Sequence, residues 1–362
     1  MNDTNPLFCS AFTRGSFVSF LLSGIAEHFD DHGTGARNAE SLVRAKVRPA
    51  FLDISSFIYP LMYAKAKEYI KKFPNGGAGL VSAVAFDVMF SVTSMCQLFR
   101  VAPIACFDSG RSLRRELVYK DYKIARYEKN RKYDDEITKK VLSYKNQVTR
   151  LLRTSIFPLY NVMTFCVNGF ETDDVIASFV LGLKNADYSG DIVIASSDGD
   201  LHQLVTGTNV YWADVMRGVL CSKKNIEDHD GMPTESIVAY KTFCGCKSDF
   251  VPGIPQFGPV SFKQLMGGGI ESVKSKKARE SFYANEDVAW RNYRLVRLPF
   301  ENTPPLLLSE KRFPKECYVS DDIVSMFRNT EGFCGNDPPM FSSVISPTPI
   351  KRIDVIPYSK VV

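Results

Sequence analysis

Three short apolar runs in this chain each stop at an aspartate: Ala50-Phe51-Leu52-Asp53, Ile104-Ala105-Cys106-Phe107-Asp108, and Ile192 through Ala195 followed by Ser196-Ser197-Asp198. Apolar runs of this length, without polar alternation, read as strands buried on both faces. Segments of helical length separate them. The clearest covers 80–100, where apolar positions around much of the turn mark a buried helix that Pro103 brings to an end. Strands alternating with helices imply parallel pairing in an open, doubly wound, mostly parallel α/β sheet. The working crevice of such a sheet lies outside the carboxyl ends of its strands. Asp53, Asp108 and Asp198 are therefore expected along one edge. A shorter fourth strand is read at Asn209–Trp212.

Further acids are directed to the same edge. Thr172 reads as the N-cap of a helix whose first turn carries Asp173 and Asp174, with Glu171 just before it. Asp200 follows Asp198 across Gly199, and Asp249 lies further along. Carboxylates with an ordinary pKa near ~4 are all ionised at neutral pH, so such a cluster is repulsive unless divalent cations occupy it. Oxygen ligands without His or Cys favour Mg²⁺ or Mn²⁺ over zinc. Two such ions ~3.5–4 Å apart can activate a water and stabilise the leaving oxygen of a phosphodiester. Any one of these acids is also an ordinary turn or cap residue; the joint pattern carries the reading. His202, two residues past Asp200, is read as lying on a helix surface.

Charge is segregated along the chain. Between Arg111 and Arg153 there are 14 Lys and Arg against 6 Asp and Glu, leaving 31 against 34 elsewhere. A basic segment on a mildly acidic body points to an anionic polymer as partner. Tyr119, Tyr122, Tyr127 and Tyr133 interleave with its cations, a combination that neutralises phosphates and stacks on unpaired bases. Arg111, Arg114, Tyr119 and Tyr122 are the candidate contacts. Downstream, Val251–Pro259 (VPGIPQFGP) places Gly253 and Gly258 in a turn before a helix, where backbone N–H groups can meet a phosphate, and Lys263 can reach the same backbone.

Nine cysteines without a repeating pattern, with Cys96, Cys106 and Cys166 in apolar surroundings, fit free thiols in a reducing, cytoplasmic setting. Cys244-Gly245-Cys246 lacks the spacing of a structural zinc site. No apolar run reaches the ~18–20 residues needed to span a bilayer, and no membrane partner is expected. Arg14 with Phe17–Leu22 reads as a short amphipathic helix continuing through Phe29. The division expected is an N-terminal extension over 1–47, a catalytic domain over 48–290, and an irregular, proline-punctuated extension over 291–362, partly wrapped on the core. A monomer is expected.

In chain order, FLDIS, CFDSG, GFETDDVIA, IASSDGDLHQL and GCKSDFVPGIPQFGP resemble the motifs of the 5′ nuclease superfamily. That superfamily includes flap endonucleases, the 5′-nuclease domain of bacterial DNA polymerase I and bacteriophage 5′ exonucleases of the RNase H type; the phage members look most alike. The resemblance covers roughly residues 48–275. It implies a PIN-like core, a basic helical arch over 109–165 through which a 5′ end passes, and a helix–turn–helix DNA-binding element over 240–275. It also implies how the acids divide: Asp53, Asp108, Asp173 and Asp198 mainly hold one ion, Asp200 and Asp249 the other, with Glu171 and Asp174 joining directly or through water. Lys123 and Arg115 are implied to stabilise charge on the scissile phosphate, and Arg126 to position the strand.

The activity implied is that of a Mg²⁺-dependent 5′→3′ exonuclease or flap endonuclease working by a two-metal mechanism in DNA replication or repair. Its substrates would be DNA with 5′ flaps or free 5′ ends and RNA–DNA hybrids, with a polymerase, clamp or single-strand-binding protein as partners. Two departures from the family pattern stand out: Cys246 replaces an aspartate and Phe250 an asparagine. A thiol is a poor ligand for a hard cation, so the second metal site is expected to be weakened but retained through Asp249. The K⁺ ion often held by the family's glycine turn is disfavoured by Gln256, which replaces its middle glycine. The alternative readings are a PIN-type ribonuclease, against which the basic segment and glycine turn argue, and a nuclease-like nucleic-acid-binding factor, which Cys246 alone favours.

Overall fold

The computed structural model describes residues 48–72, 77–99, 101–124, 136–160, 162–214 and 219–306. Arg126, Tyr127, Tyr133, the extension over 1–47 and residues 307–362 lie outside the described residues. The chain divides into two compact units: one is built, among the described residues, from 48–114, 136–231 and 298–306, the other from 115–124 and 232–297.

The first unit is organised by a six-stranded sheet: β1 (Pro49–Asp53), β2 (Ala102–Cys106), β3 (Met163–Phe165), β4 (Ile192–Ala195), β5 (Val210–Asp214) and β6 (Val219–Cys221). Its order is β3-β2-β1-β4-β5-β6. The first five strands in sequence pair in parallel and β6 closes one edge antiparallel to β5. The doubly wound architecture expected from the sequence is thus present. Strand order reverses direction at β1, between β2 and β4, which is where such sheets open a crevice. Both β3 and β6, three residues each, went unread in the sequence.

Alternation along β1 and β4 builds two cores. Ala50, Leu52, Val193 and Ala195 face a cluster with Phe57, Met62, Val84, Val88 and Phe157. Phe51, Ile192 and Ile194 face the other side with Ile104, Val175, Ile176 and Phe179. The helix Gly77–Phe99 supplies the first cluster with Leu80, Val81, Val84, Ala85, Val88, Met89 and Val92, the i, i+3, i+4 spacing of a core-facing stripe. The helices Ile54–Lys72 and Glu136–Leu151 pack with it, and Thr172–Asn185 covers the opposite face. No helix among the described residues is long and apolar enough to cross a membrane.

The second unit has the expected helix–turn–helix. Helix Ile237–Cys244 leads into a tight hairpin of β7 (Gly245–Cys246) and β8 (Val251–Pro252), followed by helix Pro259–Gly268. Phe243, Ile254, Phe257, Phe262 and Leu265 form its core with Ala278 and Phe282. The buried Asn292 amide donates to the Thr242 and Pro252 carbonyls, tying helix Glu286–Val296 to both ends of the turn. That helix runs straight through the domain boundary expected at residue 290, because its buried positions Ala289, Asn292, Leu295 and Val296 belong to this unit.

Candidate active site

Three central strands bring acid to one edge of the first unit. Asp53 is the last residue of β1 and pairs with Cys106 of β2, while Leu52 pairs with Ala195 of β4. Asp108 and Asp198 therefore emerge two residues beyond the level of Asp53 on its two neighbours. Hydroxyl and backbone N–H donors fix all three. Ser55 N–H donates to Asp53 Oδ1 and Ser196 Oγ to Asp53 Oδ2, at 3.1 and 2.9 Å. Ser56 Oγ also donates to Asp53. Ser55 Oγ donates to Asp108 Oδ2 at 2.9 Å, while Thr172 donates its N–H and its hydroxyl to Asp108 Oδ1 at 2.9 and 2.8 Å. Asp198 receives the Asp200 N–H at 2.9 Å, which folds residues 199–204 into a short helical turn.

The electrostatics follow from this convergence. Burial and the neighbouring Asp108 push the Asp53 carboxyl up to about 6, Ser56 and Ser196 pull it down, and Asp198 pushes it up again. A buried carboxyl raised by acidic neighbours sits in an arrangement that a cation would relieve. The donors here are oxygens, the chemistry that suits a hard divalent ion. Asp53, Asp108 and Asp198 fit such an ion, with the half-buried Asp173 and Asp200 beside them on the same turns.

Asp174 is placed differently. It is fully buried, its Oδ2 accepts the Glu171 N–H at 3.1 Å and its Oδ1 the Phe300 N–H at 2.8 Å. The N-cap of this helix is Glu171 rather than Thr172, one residue earlier than expected, because Glu171 keeps the extended backbone and Thr172 is already helical. His202 is also corrected: it is buried rather than on a surface, with Nδ1 2.9 Å from Asp230 Oδ2 and its ring edge against Trp212. Asp230, 28 residues downstream, carried no sequence signal.

The second unit holds Asp249 and Lys123. Lys123 Nζ lies 3.7 Å from Asp249 Oδ1, and its backbone N–H donates to the Asp249 carbonyl at 2.8 Å. The Tyr122 hydroxyl donates to Asp249 Oδ2 at 3.3 Å. Asp249 is buried, so this carboxylate has a cation and a phenol as partners. Lys123 and Phe250 take the left-handed backbone at φ 55° and 63°, a strained conformation that these surroundings enforce. Cys246 is buried with Tyr122, Val251 and Leu295, its Sγ 3.0 Å from Ser248 Oγ, and so behaves as a core residue.

The expected cations divide. Arg115 is 2% exposed, its Nε donates to the Leu295 carbonyl at 3.1 Å and its guanidinium faces the Tyr122 ring. It ties helix Leu113–Val118 to helix Glu286–Val296 and does not reach solvent, contrary to the phosphate contact expected of it. Arg114 is exposed, with its guanidinium 4.5 Å from the Phe170 ring centroid, and Arg111 and Lys263 are exposed as well. Tyr119 lies half-buried beneath the Arg291 guanidinium, and Tyr122 is buried, so neither offers a free ring face.

Gly253 and Gly258 also separate. A Cβ on Gly253 would meet the Cys244 carbonyl carbon and oxygen at 2.5 Å, so that glycine permits close approach of two backbones; its partner Gly245 has φ 82°. Gly258 has open space around its Cα and begins helix Pro259–Gly268. Gln256 adopts φ 61°, a backbone that glycine takes without strain.

A family model described as the 5′-3′ exonuclease, N-terminal resolvase-like domain matches residues 49–234. DNA polymerase I of Rhizobium leguminosarum is 34% identical over 149 residues, which are 38% of this chain and 14% of that protein. Flap endonuclease Xni of Shewanella woodyi is 28% identical over 218 residues, 58% of this chain and 79% of that one. Among solved structures, T5 5′-exonuclease with bound zinc ions superposes with a TM-score of 0.56 at 19% identity, over 70% of this chain and 90% of the other. That likeness concerns the fold.

Proposed function

The chain belongs to the 5′-3′ exonuclease family through its N-terminal resolvase-like domain, and from that premise we propose that it is a divalent-metal-dependent 5′ nuclease. The observation that carries this reading is the convergence of Asp53, Asp108 and Asp198 at the carboxyl ends of three adjacent strands, with Asp53 pushed up to about 6 by burial and its acidic neighbours. Mg²⁺ is the proposed ion, with Mn²⁺ able to replace it. Asp53, Asp108, Asp173 and Asp198 would hold one ion, with Asp200 and Glu171 on the adjoining turns available to a second. When bound, the ion supplies positive charge that polarises a phosphodiester.

The remaining roles belong to the chain itself. Ser56 and Ser196 orient Asp53, and Thr172 holds Asp108 by two hydrogen bonds. Lys123 is proposed to stabilise charge developing on the scissile phosphate. The exposed Arg111 and Arg114 are proposed to take phosphates of the strand, in place of the buried Arg115, and Gly258 and Lys263 phosphates of a duplex. The proposed substrates are DNA with 5′ flaps or free 5′ ends and RNA–DNA hybrids, in replication or repair. Buried thiols at Cys106 and Cys221 support a reducing, cytoplasmic setting.

A 5′-labelled flap and a 5′-labelled RNA–DNA hybrid, incubated with Mg²⁺ or with EDTA, test the reading. Label should leave as mono- or short oligonucleotides only with Mg²⁺, and Asp198→Asn should slow this about a thousandfold or more. Binding without cleavage in Mg²⁺ and Mn²⁺ would instead identify a nucleic-acid-binding factor. Cleavage of single-stranded RNA without dependence on a 5′ end would identify a PIN-type ribonuclease.

A further inference from the structure

Residues 298–306 follow helix Glu286–Val296 and belong to the first unit, outside the 49–234 span that the family model matches. Four backbone groups attach this strap. The Leu298 N–H donates to Gln203 Oε1 at 2.9 Å and the Phe300 N–H to Asp174 Oδ1 at 2.8 Å. The Pro304 carbonyl accepts from Ser178 Oγ at 2.6 Å, and the Leu306 N–H donates to the same oxygen at 2.9 Å. Phe300 is buried, and Leu298 and Leu306 pack on the core beneath helix Thr172–Asn185.

Two of these attachments continue directly into acidic turns. Gln203 is 4% exposed and uses its other amide atom, Nε2, to donate to the Asp200 carbonyl at 2.8 Å. Asp174, fully buried, uses its other oxygen to accept the Glu171 N–H at 3.1 Å. One side chain thus bridges the strap to the 198–200 turn, and another bridges it to the 171–173 turn. Amide and carboxylate groups buried this deeply are costly unless both ends are satisfied, and the strap backbone supplies the second end in each case.

We propose that residues 298–306 brace the two acidic turns, with Gln203 and Asp174 as positioning residues that fix the separation of the carboxylates and so set their affinity for a divalent cation. This rests on the metal-dependent reading above. Outer partners of metal-binding carboxylates act in this way, by removing alternative orientations of the ligands.

The probe is Mn²⁺ itself, titrated into the full-length protein while the free ion is followed by electron paramagnetic resonance. Gln203→Met removes both ends of one bridge at similar volume, and weakening of Mn²⁺ binding by about tenfold is expected. Hydrogen exchange should accelerate in peptides covering 198–204 and 298–301 in the metal-free protein. Ser178→Ala loosens the far end of the strap without touching either acidic turn; a smaller weakening in the same direction is expected, and this variant decides the matter if Gln203→Met does not fold. Mn²⁺ affinity within twofold of wild type in the folded variant overturns the brace while leaving the metal reading intact. Wild-type protein that binds no Mn²⁺ overturns both.

Discussion

The acidic edge of the first unit and the Asp249 loop of the second treat carboxylates in opposite ways. At the edge, Asp53, Asp108 and Asp198 are held by neutral hydroxyl and amide donors, and Asp53 is raised by burial and by its two acidic neighbours. In the loop, Asp249 already has the Lys123 ammonium at 3.7 Å and the Tyr122 hydroxyl beside it. Hydroxyls orient an acid without cancelling its charge, whereas an ammonium cancels it. The edge is therefore organised at the expense of its own stability, and the loop is organised to be stable as it stands. A site meant to gain a cation has the first form.

Asparagine substitution gives the largest and sharpest way to break this comparison. The raised Asp53 carboxyl means that the folded state binds the extra proton, so this carboxyl's contribution to metal-free stability is full below about pH 4 and is lost as pH rises through about 6. A shift from 3.8 to about 6 corresponds to roughly 3 kcal/mol at neutral pH. Asp53→Asn should therefore raise the metal-free melting temperature at pH 7.5, give no gain at pH 3.5, and abolish Mg²⁺-dependent cleavage. In the same melts, Asp249→Asn should lower stability by about 1–2 kcal/mol, since it removes the ion pair with the half-buried Lys123 and the acceptor of the Tyr122 hydroxyl. Equal signs for the two variants would end the distinction.

Smaller effects sharpen the loop's side of the comparison. Gly253→Ala should cost about 2 kcal/mol in chemical denaturation, because its Cβ would strike the Cys244 carbonyl group at 2.5 Å and backbone does not yield easily. Lys123→Met combined with Asp249→Asn should be less destabilising than the two single changes summed, by about 1 kcal/mol in a double-mutant cycle. Gln256→Gly should be the mildest, a gain of no more than about 1 kcal/mol from relief of its left-handed backbone, with cleavage unchanged. A loss of stability there would show that the Gln256 side chain holds the turn.

The acidic edge was legible in the sequence because two strong signals coincide in it, unbroken apolar runs and charged stops at their ends. What escaped lacked such signals. Both β3 and β6 are three residues long, too short for periodicity to register. The burial of Arg115 runs against its residue type and depends on the Leu295 carbonyl, 180 positions away. The strap is attached mainly through backbone N–H groups, which every residue but proline carries, so 298–306 reads as irregular chain. Thr172 was read one place off as the cap because its hydroxyl serves Asp108 instead of its own helix.

The ladder register of β1 has a consequence for how such a chain can change length. Phe51 and Asp53 point to one face of the sheet while Ala50 and Leu52 point to the other. A single residue inserted or deleted within 49–53 would turn Asp53 to the opposite face, and both cores would lose their lining together. Stretches that enter strands from behind, such as the exposed Gly207 and Thr208 before β5, carry no such constraint. Family members are expected to vary in length there and to be invariant in spacing from Pro49 to Ser56.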